Sequence, residues 1–193
     1  MAKRTLIACN ILEDEMKWVL DRHPEVEVET IWIGAGLHND MDILRARLDE
    51  CFGEVEDGDD SVRLMIGYGC HPDLKSQAAS HGFPVLSTKN CLGALVGEDR
   101  VAELEKNRTM LITPAWIRRT WFAEDGMRKM LGWDDTDFRI NFGIYDRVLV
   151  MDFGLNPLTD EEILDAFSII EVPIECESFG LEHFEKFFLD FLA

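Results

Sequence analysis

Short apolar runs alternate with segments of helical periodicity along almost the whole chain. Where the runs are short and bounded by turn residues, they predict strands at 5–8, 26–33, 62–68, 85–86, 109–112, 145–151 and 169–174. Apolar residues spaced three or four apart predict helices at 11–22, 41–52, 72–81, 92–96, 100–106, 115–131, 159–168 and 184–192. Strands that alternate with helices are typical of parallel sheets. We therefore predict an α/β fold: a three-layer, open, mostly parallel sheet with helices on both faces, Rossmann-like in its arrangement.

Capping residues mark where three of these helices begin. Asn39 or Asp40 precedes the helix at 41–52, and Thr113 followed by Pro114 precedes the helix at 115–131. Thr159 and the acidic residues after it form a capping-box sequence. These signals support the predicted helix starts independently of the apolar periodicity.

The size and composition of the chain indicate one folded domain. At 193 residues, 47% of them hydrophobic, the chain can bury a sizeable core, and it contains no evident repeat or linker. We predict a single α/β domain over 1–193.

A net charge of −19 changes the expected set of partners. It argues against nucleic acid and anionic membrane surfaces, which need clustered Lys and Arg. A partner with a basic face fits better, although the charge can also serve solubility alone. The N-terminus leads directly into a strand and no run reaches the length of a membrane span, so we expect a cytoplasmic protein without a membrane partner. The sequence leaves open whether the protein forms a homo-oligomer.

Three of the five cysteines follow predicted strands. Cys9 follows the run at 5–8, Cys70 follows 62–68 and Gly69, and Cys91 comes shortly after 85–86. Carboxyl ends of parallel strands share one sheet edge, so the three thiols are expected to meet there. Cys51 and Cys176 have no such placement. In a reducing cytoplasm a disulfide framework is not expected, which leaves metal ligation, catalysis or packing as small hydrophobes.

Three thiolates at one sheet edge suit a zinc ion or an iron–sulfur cluster. Zinc takes four ligands, and His71, directly after Cys70, is the best nitrogen candidate for the fourth. His38 lies in a loop after the second strand and is expected at the same edge. Either histidine can instead make a structural hydrogen bond. The cysteine spacing matches neither a zinc ribbon nor a ferredoxin, so the predicted site rests on fold geometry.

His38 and three further residues are candidates for binding a cofactor. Gly67 and Gly69 flank Tyr68 at the end of the third strand and permit a close backbone approach. Trp116 lies at a helix start after another strand, where it can cover a ligand or pack in the core. No dinucleotide-binding or Walker sequence occurs, so nicotinamide and nucleoside triphosphates are unsupported.

Five ordered motifs resemble a known family. They are TLIAC at 5–9, GLHN at 36–39, GYGC at 67–70, CLGALVG at 91–97 and LITPAW at 111–116. In this order they resemble the bacterial and archaeal family called domain of unknown function 1638. Two departures affect the site: family members often have a further residue before the cysteine of GYGC, and a histidine and an aspartate where this chain has Lys89 and Asn90.

The resemblance implies a protein of anaerobes and methanogens associated with corrinoid-dependent methyl transfer. It implies a corrinoid protein or a methyltransferase as partner, with any corrinoid supplied by that partner. On this basis we expect a cysteine-ligated metal or iron–sulfur protein. Two alternatives stay open: an enzyme that uses one cysteine as nucleophile or redox centre, and a non-catalytic module whose acidic surface docks a partner.

Overall fold

The computed structural model describes residues 3–121 and 127–193 and confirms the α/β fold. The strands of the described residues are β1 Arg4–Cys9, β2 Val28–Ile33, β3 Val62–Met65, β4 Thr109–Ile112, β5 Arg147–Asp152 and β6 Ile174–Ser178. The helices are α1 Glu13–Arg22, α2 Met41–Gly53, α3 Leu74–His81, α4 Cys91–Val96, α5 Glu98–Leu104, α6 Pro114–Trp116, α7 Met127–Leu131, α8 Asp135–Phe142, α9 Asp160–Phe167 and α10 Glu182–Leu192.

The chain divides into two compact units, each with its own sheet. Unit 1 comprises Met1–Glu98 and Leu181–Ala193, and unit 2 comprises Asp99–Gly180. The assignment of 1–193 to one domain stays a prediction. The strands do form parallel sheets, but they are shared between two three-stranded sheets, where the sequence predicts one.

The sheet of unit 1 has the strand order β2-β1-β3, with all strands parallel. The connection from β1 to β2 through α1 and the connection from β2 to β3 through α2 run in opposite directions across the sheet. Because such connections are right-handed, α1 and α2 lie on opposite faces. One face carries α2 and α3, which pack Leu48 and Leu74 against Ile7 of the central strand. Because side chains alternate along a strand, the buried Leu6 and Ala8 point to the other face. The central strand is therefore buried on both sides.

Helices α1 and α10 contact each other within unit 1. Glu185 of α10 accepts from His23 Nε2 at 2.9 Å and from Arg22 Nε at 3.2 Å, both at the end of α1. Arg4 of β1 donates to the carbonyl oxygens of Leu192 and Ala193, each at 2.8 Å. The last helix of the chain is thus held against the first strand and the first helix.

The sheet of unit 2 has the order β4-β5-β6 and is also parallel. Its core is built around Trp121, whose ring lies 5.0 Å from Phe138, 5.2 Å from Phe142 and 5.9 Å from Phe167 between centroids. The edge strand β6 is largely exposed. These aromatic rings pack with aliphatic residues of the sheet, among them Val148 and Val150 of β5.

Two predicted strands differ from the structure in more than the positions of their ends. The run at 85–86 forms only a single parallel bridge, between Val85 and Leu64. The strand predicted at 169–174 is wrong, since Ile170 is buried in the core after α9 and β6 begins at Ile174. An apolar run buried at a helix end has the same composition as a strand, whereas the true edge strand is polar and lacks that signal.

Most predicted helices are confirmed, with shifted ends. Helix α8 was absent from the prediction, although Asp134 and Asp137 form a capping box at its start. The predicted helix at 115–131 is observed as α6, a π-helical turn Ile117–Trp121 and α7, with 122–126 outside the described residues. Asp40, Thr113 and Thr159 all cap the helices predicted for them. Among the described residues no helix is both long and apolar enough to span a membrane.

A buttressed ion pair fixes the start of α9. Arg118 donates to both carboxylate oxygens of Glu162, at 2.6 and 2.8 Å, and to the carbonyl oxygens of Asn156 and Pro157. The backbone N–H of Thr159 also donates to Glu162, at 2.9 Å. Arg118 and this N–H lower the pKa of Glu162 to about 2.

Replacing Glu162 with Gln is expected to lower the thermal unfolding midpoint at neutral pH. The pKa of Glu162 is lowered by folding, so its contribution is present above the ordinary carboxyl pKa and is lost as pH falls toward about 2. The difference between wild type and Glu162→Gln should therefore shrink between about pH 5 and pH 2. Thermal melts across this range measure it, with Glu161→Gln, an exposed neighbour on α9, as control. A difference that is independent of pH would contradict the assigned role.

Candidate functional site

The three cysteines predicted to form a site all belong to unit 1. Cys9 is the last residue of β1, Cys70 lies in the turn after β3, and Cys91 is the first residue of α4. β1 and β3 are neighbours, with Ala8 paired to Met65. The connections that leave the carboxyl ends of β1 and β3 run to opposite sides, β1 toward β2 and β3 toward Val85. An open parallel sheet has its ligand crevice at such a point.

Two loops at this edge are joined by backbone hydrogen bonds. Tyr68 N–H donates to the Thr88 carbonyl at 3.1 Å, and Gly69 N–H donates to the Lys89 carbonyl at 2.7 Å. Cys70 N–H closes the turn on the Gly67 carbonyl at 3.0 Å. We call these two segments, 67–70 and 88–90, the loop clasp. It brings the chain before Cys70 beside the chain before Cys91.

Both glycines of the clasp are required by close packing. A Cβ atom on Gly67 would lie 2.4 Å from Asn90 Cα and 2.4 Å from the Lys89 carbonyl oxygen. A Cβ atom on Gly69 would lie 2.8 Å from the same oxygen. The close approach predicted for Gly67 and Gly69 is therefore made by the chain's own loop. Their role in binding a cofactor stays a prediction.

Helix α4 is capped by the clasp itself. Asn90 Oδ1 accepts from Gly93 N–H at 3.0 Å, and Thr88 Oγ1 donates to the Asn90 carbonyl at 3.2 Å. Asn90, where relatives carry an acidic residue according to the resemblance, thus fixes the first turn that bears Cys91. Sequence reasoning missed this role, although an Asn directly before a helix is the ordinary signal for it.

The environment of Cys70 and Cys91 favours their protonated thiol forms. Burial raises the pKa of Cys91 well above its ordinary value, and the Cys9 and Cys70 thiols raise it further. Burial also raises the pKa of Cys70, which packs against the apolar core beneath α2 and α3. The effect of Cys9 and Cys70 on Cys91 means that the three lie within range of electrostatic interaction. The structure brings the predicted cysteines into one neighbourhood.

The two predicted histidines differ in environment. His71 is buried, and its Nδ1 accepts the Asp73 backbone N–H at 3.1 Å. This hydrogen bond places the ring proton on Nε2, so ligation by His71 requires the bond to be given up. His38 is exposed when the whole residue is considered. The protein around its imidazole ring nevertheless excludes water from it, and this desolvation lowers the pKa of His38. Both remain predicted ligands.

Trp116 belongs to unit 2, at the end of α6. Its ring packs 5.6 Å from Trp121 and borders the aromatic core. This is the packing role that the sequence left open for it, and a role in covering a ligand stays a prediction.

Asn10 is a residue of the site that sequence reasoning missed. Its Oδ1 accepts the Ala35 N–H at 2.6 Å, joining the chain after β1 to the loop after β2. That loop includes Gly36, whose φ of 86° is in the left-handed region. The same edge therefore has a second cross-loop contact, next to Cys9.

The described residues contain no group of three His, Cys, Asp or Glu side chains already arranged to hold a metal ion. The donor types suit a soft or borderline cation, since thiolates are preferred ligands of zinc and of iron–sulfur clusters. The site contains three cysteine side chains, and burial raises the pKa values of two of them, Cys70 and Cys91. Holding a metal would require them to lose protons and turn toward one another.

The parallel sheets define an α/β protein, and three of its five cysteines, Cys9, Cys70 and Cys91, lie in unit 1 at or after the ends of β1 and β3. It belongs to the family described as "Protein of unknown function (DUF1638)", whose family model matches residues 32–188. The matched segment includes Cys70 and Cys91 and begins after Cys9. No curated protein and no solved structure matches the chain.

Replacing Gly67 with Ala is expected to destabilise unit 1 by about 1–3 kcal/mol, because the added methyl group overlaps backbone that cannot move without opening the clasp. Urea denaturation measures the change. Gly53→Ala is the matched control, since a Cβ there meets nothing within 4 Å and should change stability by no more than about 1 kcal/mol. Equal stability of the two variants would contradict the close packing.

Proposed function

We propose that the protein binds zinc or an iron–sulfur cluster through Cys9, Cys70 and Cys91. The observation that carries the proposal is the loop clasp, which joins the chain before Cys70 to the chain before Cys91 beside β1, the strand that ends at Cys9. Three segments distant in the sequence thus supply the same donor type at one sheet edge. Plain packing of small hydrophobes does not require that coincidence.

A cation explains how three thiols can work together. Bare thiolates this close would repel one another, and burial opposes each negative charge. A bound divalent metal stabilises all three thiolates and keeps them deprotonated. Three protein ligands leave one position of a zinc ion, or one iron of a cluster, for a further group. His71, His38 or an exogenous ligand are the candidates for that position.

The proposed setting is corrinoid-dependent methyl transfer in anaerobes, with the corrinoid on a partner protein or methyltransferase. This part rests on the resemblance of the sequence motifs. A metal-bound thiolate is nucleophilic at neutral pH, which suits group transfer. A net charge of −19 also suits docking to a basic surface of such a partner.

The alternative of a single reactive cysteine is less favoured. A nucleophilic thiol needs a lowered pKa or an adjacent base, and burial raises the pKa of both Cys70 and Cys91. The non-catalytic acidic module needs no cysteine. It predicts unchanged partner binding after all three cysteines are replaced, and loss of that binding in high salt.

Protein purified without oxygen is expected to contain stoichiometric zinc or iron, and Cys70→Ser is expected to lose it. Removal of a direct ligand should weaken zinc binding by more than about 100-fold, the upper range for loss of an outer-shell group. Elemental analysis, the visible spectrum and competition with a chromophoric chelator measure this. The control is Cys176→Ser, an exposed cysteine of unit 2.

Proton release provides a second readout of the same binding. Because the Cys70 and Cys91 pKa values are raised, zinc uptake at neutral pH should release protons, and its affinity should rise with pH. Calorimetry in buffers of different ionisation enthalpy counts these protons. Metal-free protein whose three thiols are all freely alkylated, even after incubation with zinc or iron and sulfide, would rule the proposal out.

A further inference from the structure

Lys89 joins the two cysteine-bearing loops through both sides of its backbone. Its carbonyl oxygen accepts from Gly69 N–H at 2.7 Å, one residue before Cys70. Lys89 lies two residues before Cys91, and its N–H donates to the Glu98 carboxylate. The position of Lys89 therefore affects the placement of both Cys70 and Cys91.

Glu98 reaches this place because the chain makes room for it. Gly97, with a φ of 88°, reverses the backbone after α4, and Glu98 then begins α5. A Cβ atom on Gly93 would lie 2.6 Å from Glu98 Oε1, so the carboxylate rests against the first turn of α4. A side chain larger than hydrogen at Gly93 would displace it.

We infer that Glu98 is a positioning residue of the cysteine site. Its carboxylate holds the Lys89 peptide, and through it sets Cys91 against Cys70. A hydrogen bond to a carboxylate is stronger than one between neutral groups, which suits a residue that holds the Lys89 N–H while Gly69 holds the Lys89 carbonyl. Nothing in the proposed metal chemistry touches Glu98, so its effect acts through the clasp. The metal part of this inference rests on the proposed function.

Glu98 is exposed, so its replacement can change the position of Lys89 without a large loss of overall stability. Water can satisfy the Lys89 N–H when the carboxylate is removed, so the fold as a whole should lose little. The loop should nevertheless lose its fixed geometry. We therefore expect Glu98→Ala to affect the thiols far more than the free energy of unfolding.

The first test is zinc affinity of the full chain, measured by chelator competition. Glu98→Ala should weaken binding about 10–100-fold, the range seen when an outer-shell partner is removed. Glu98→Gln keeps an oxygen acceptor for Lys89 N–H and should recover most of the affinity. Glu103→Ala, an exposed glutamate of α5 paired with Arg100, is the matched control and should bind as wild type does. Equal affinity of Glu98→Ala and wild type overturns the inference, as does Glu98→Gln behaving like Glu98→Ala.

The second test needs no metal. N-ethylmaleimide labelling of the metal-free protein, resolved by peptide mass spectrometry, should modify Cys91 at least several-fold faster in Glu98→Ala than in wild type. Cys51, fully buried in the core of unit 1, reports unfolding in the same experiment and should stay protected. Unchanged labelling of Cys91, or equal acceleration of Cys51, overturns the positioning role. If wild type binds no metal while Cys91 alone is accelerated, the proposed function fails and the positioning role stands.

Discussion

The candidate site depends on the contact between two backbones in the loop clasp. At Gly67 and Gly69 the turn after β3 lies so close to Lys89 and Asn90 that no side chain fits between them. This contact is made by peptide groups, whose hydrogen bonds have fixed direction and length. It therefore defines the separation of the Cys70 and Cys91 loops in a way that side-chain packing alone would not. Asn90 and Glu98 add contacts to a geometry that the glycines make possible.

Burial gives this arrangement its chemical character. Neutral thiols pack well among apolar side chains, and the same surroundings raise the pKa values of Cys70 and Cys91. The raised pKa values keep Cys70 and Cys91 mostly as thiols near neutral pH, and a thiol is a weaker nucleophile than a thiolate. The metal proposed above would supply the positive charge that thiolates need in such surroundings.

Sequence periodicity predicted the α/β class and the parallel strands, because buried parallel strands are continuous apolar runs. The placement of Cys9 after the first strand followed directly from that pattern. The division into two sheets did not, since strand order depends on tertiary contacts that periodicity does not report. Ile170 was misassigned because core burial at a helix end has the composition of a strand. Glu98 was missed because its role depends on a distant backbone N–H.

The edge strand β6 carries an exposed cysteine, which affects how readily two copies of the protein form a disulfide. Cys176 lies exposed on this strand between two glutamates, where a thiol is open to collision with another copy. Partial burial of the sulfur, with Asp152 and Asp160 nearby, raises the pKa of Cys176. Disulfide exchange proceeds through the thiolate, so this thiol is slow to link two chains. Burial of the sulfur, and after it the two carboxylates, thereby also slow covalent dimerisation through the exposed Cys176.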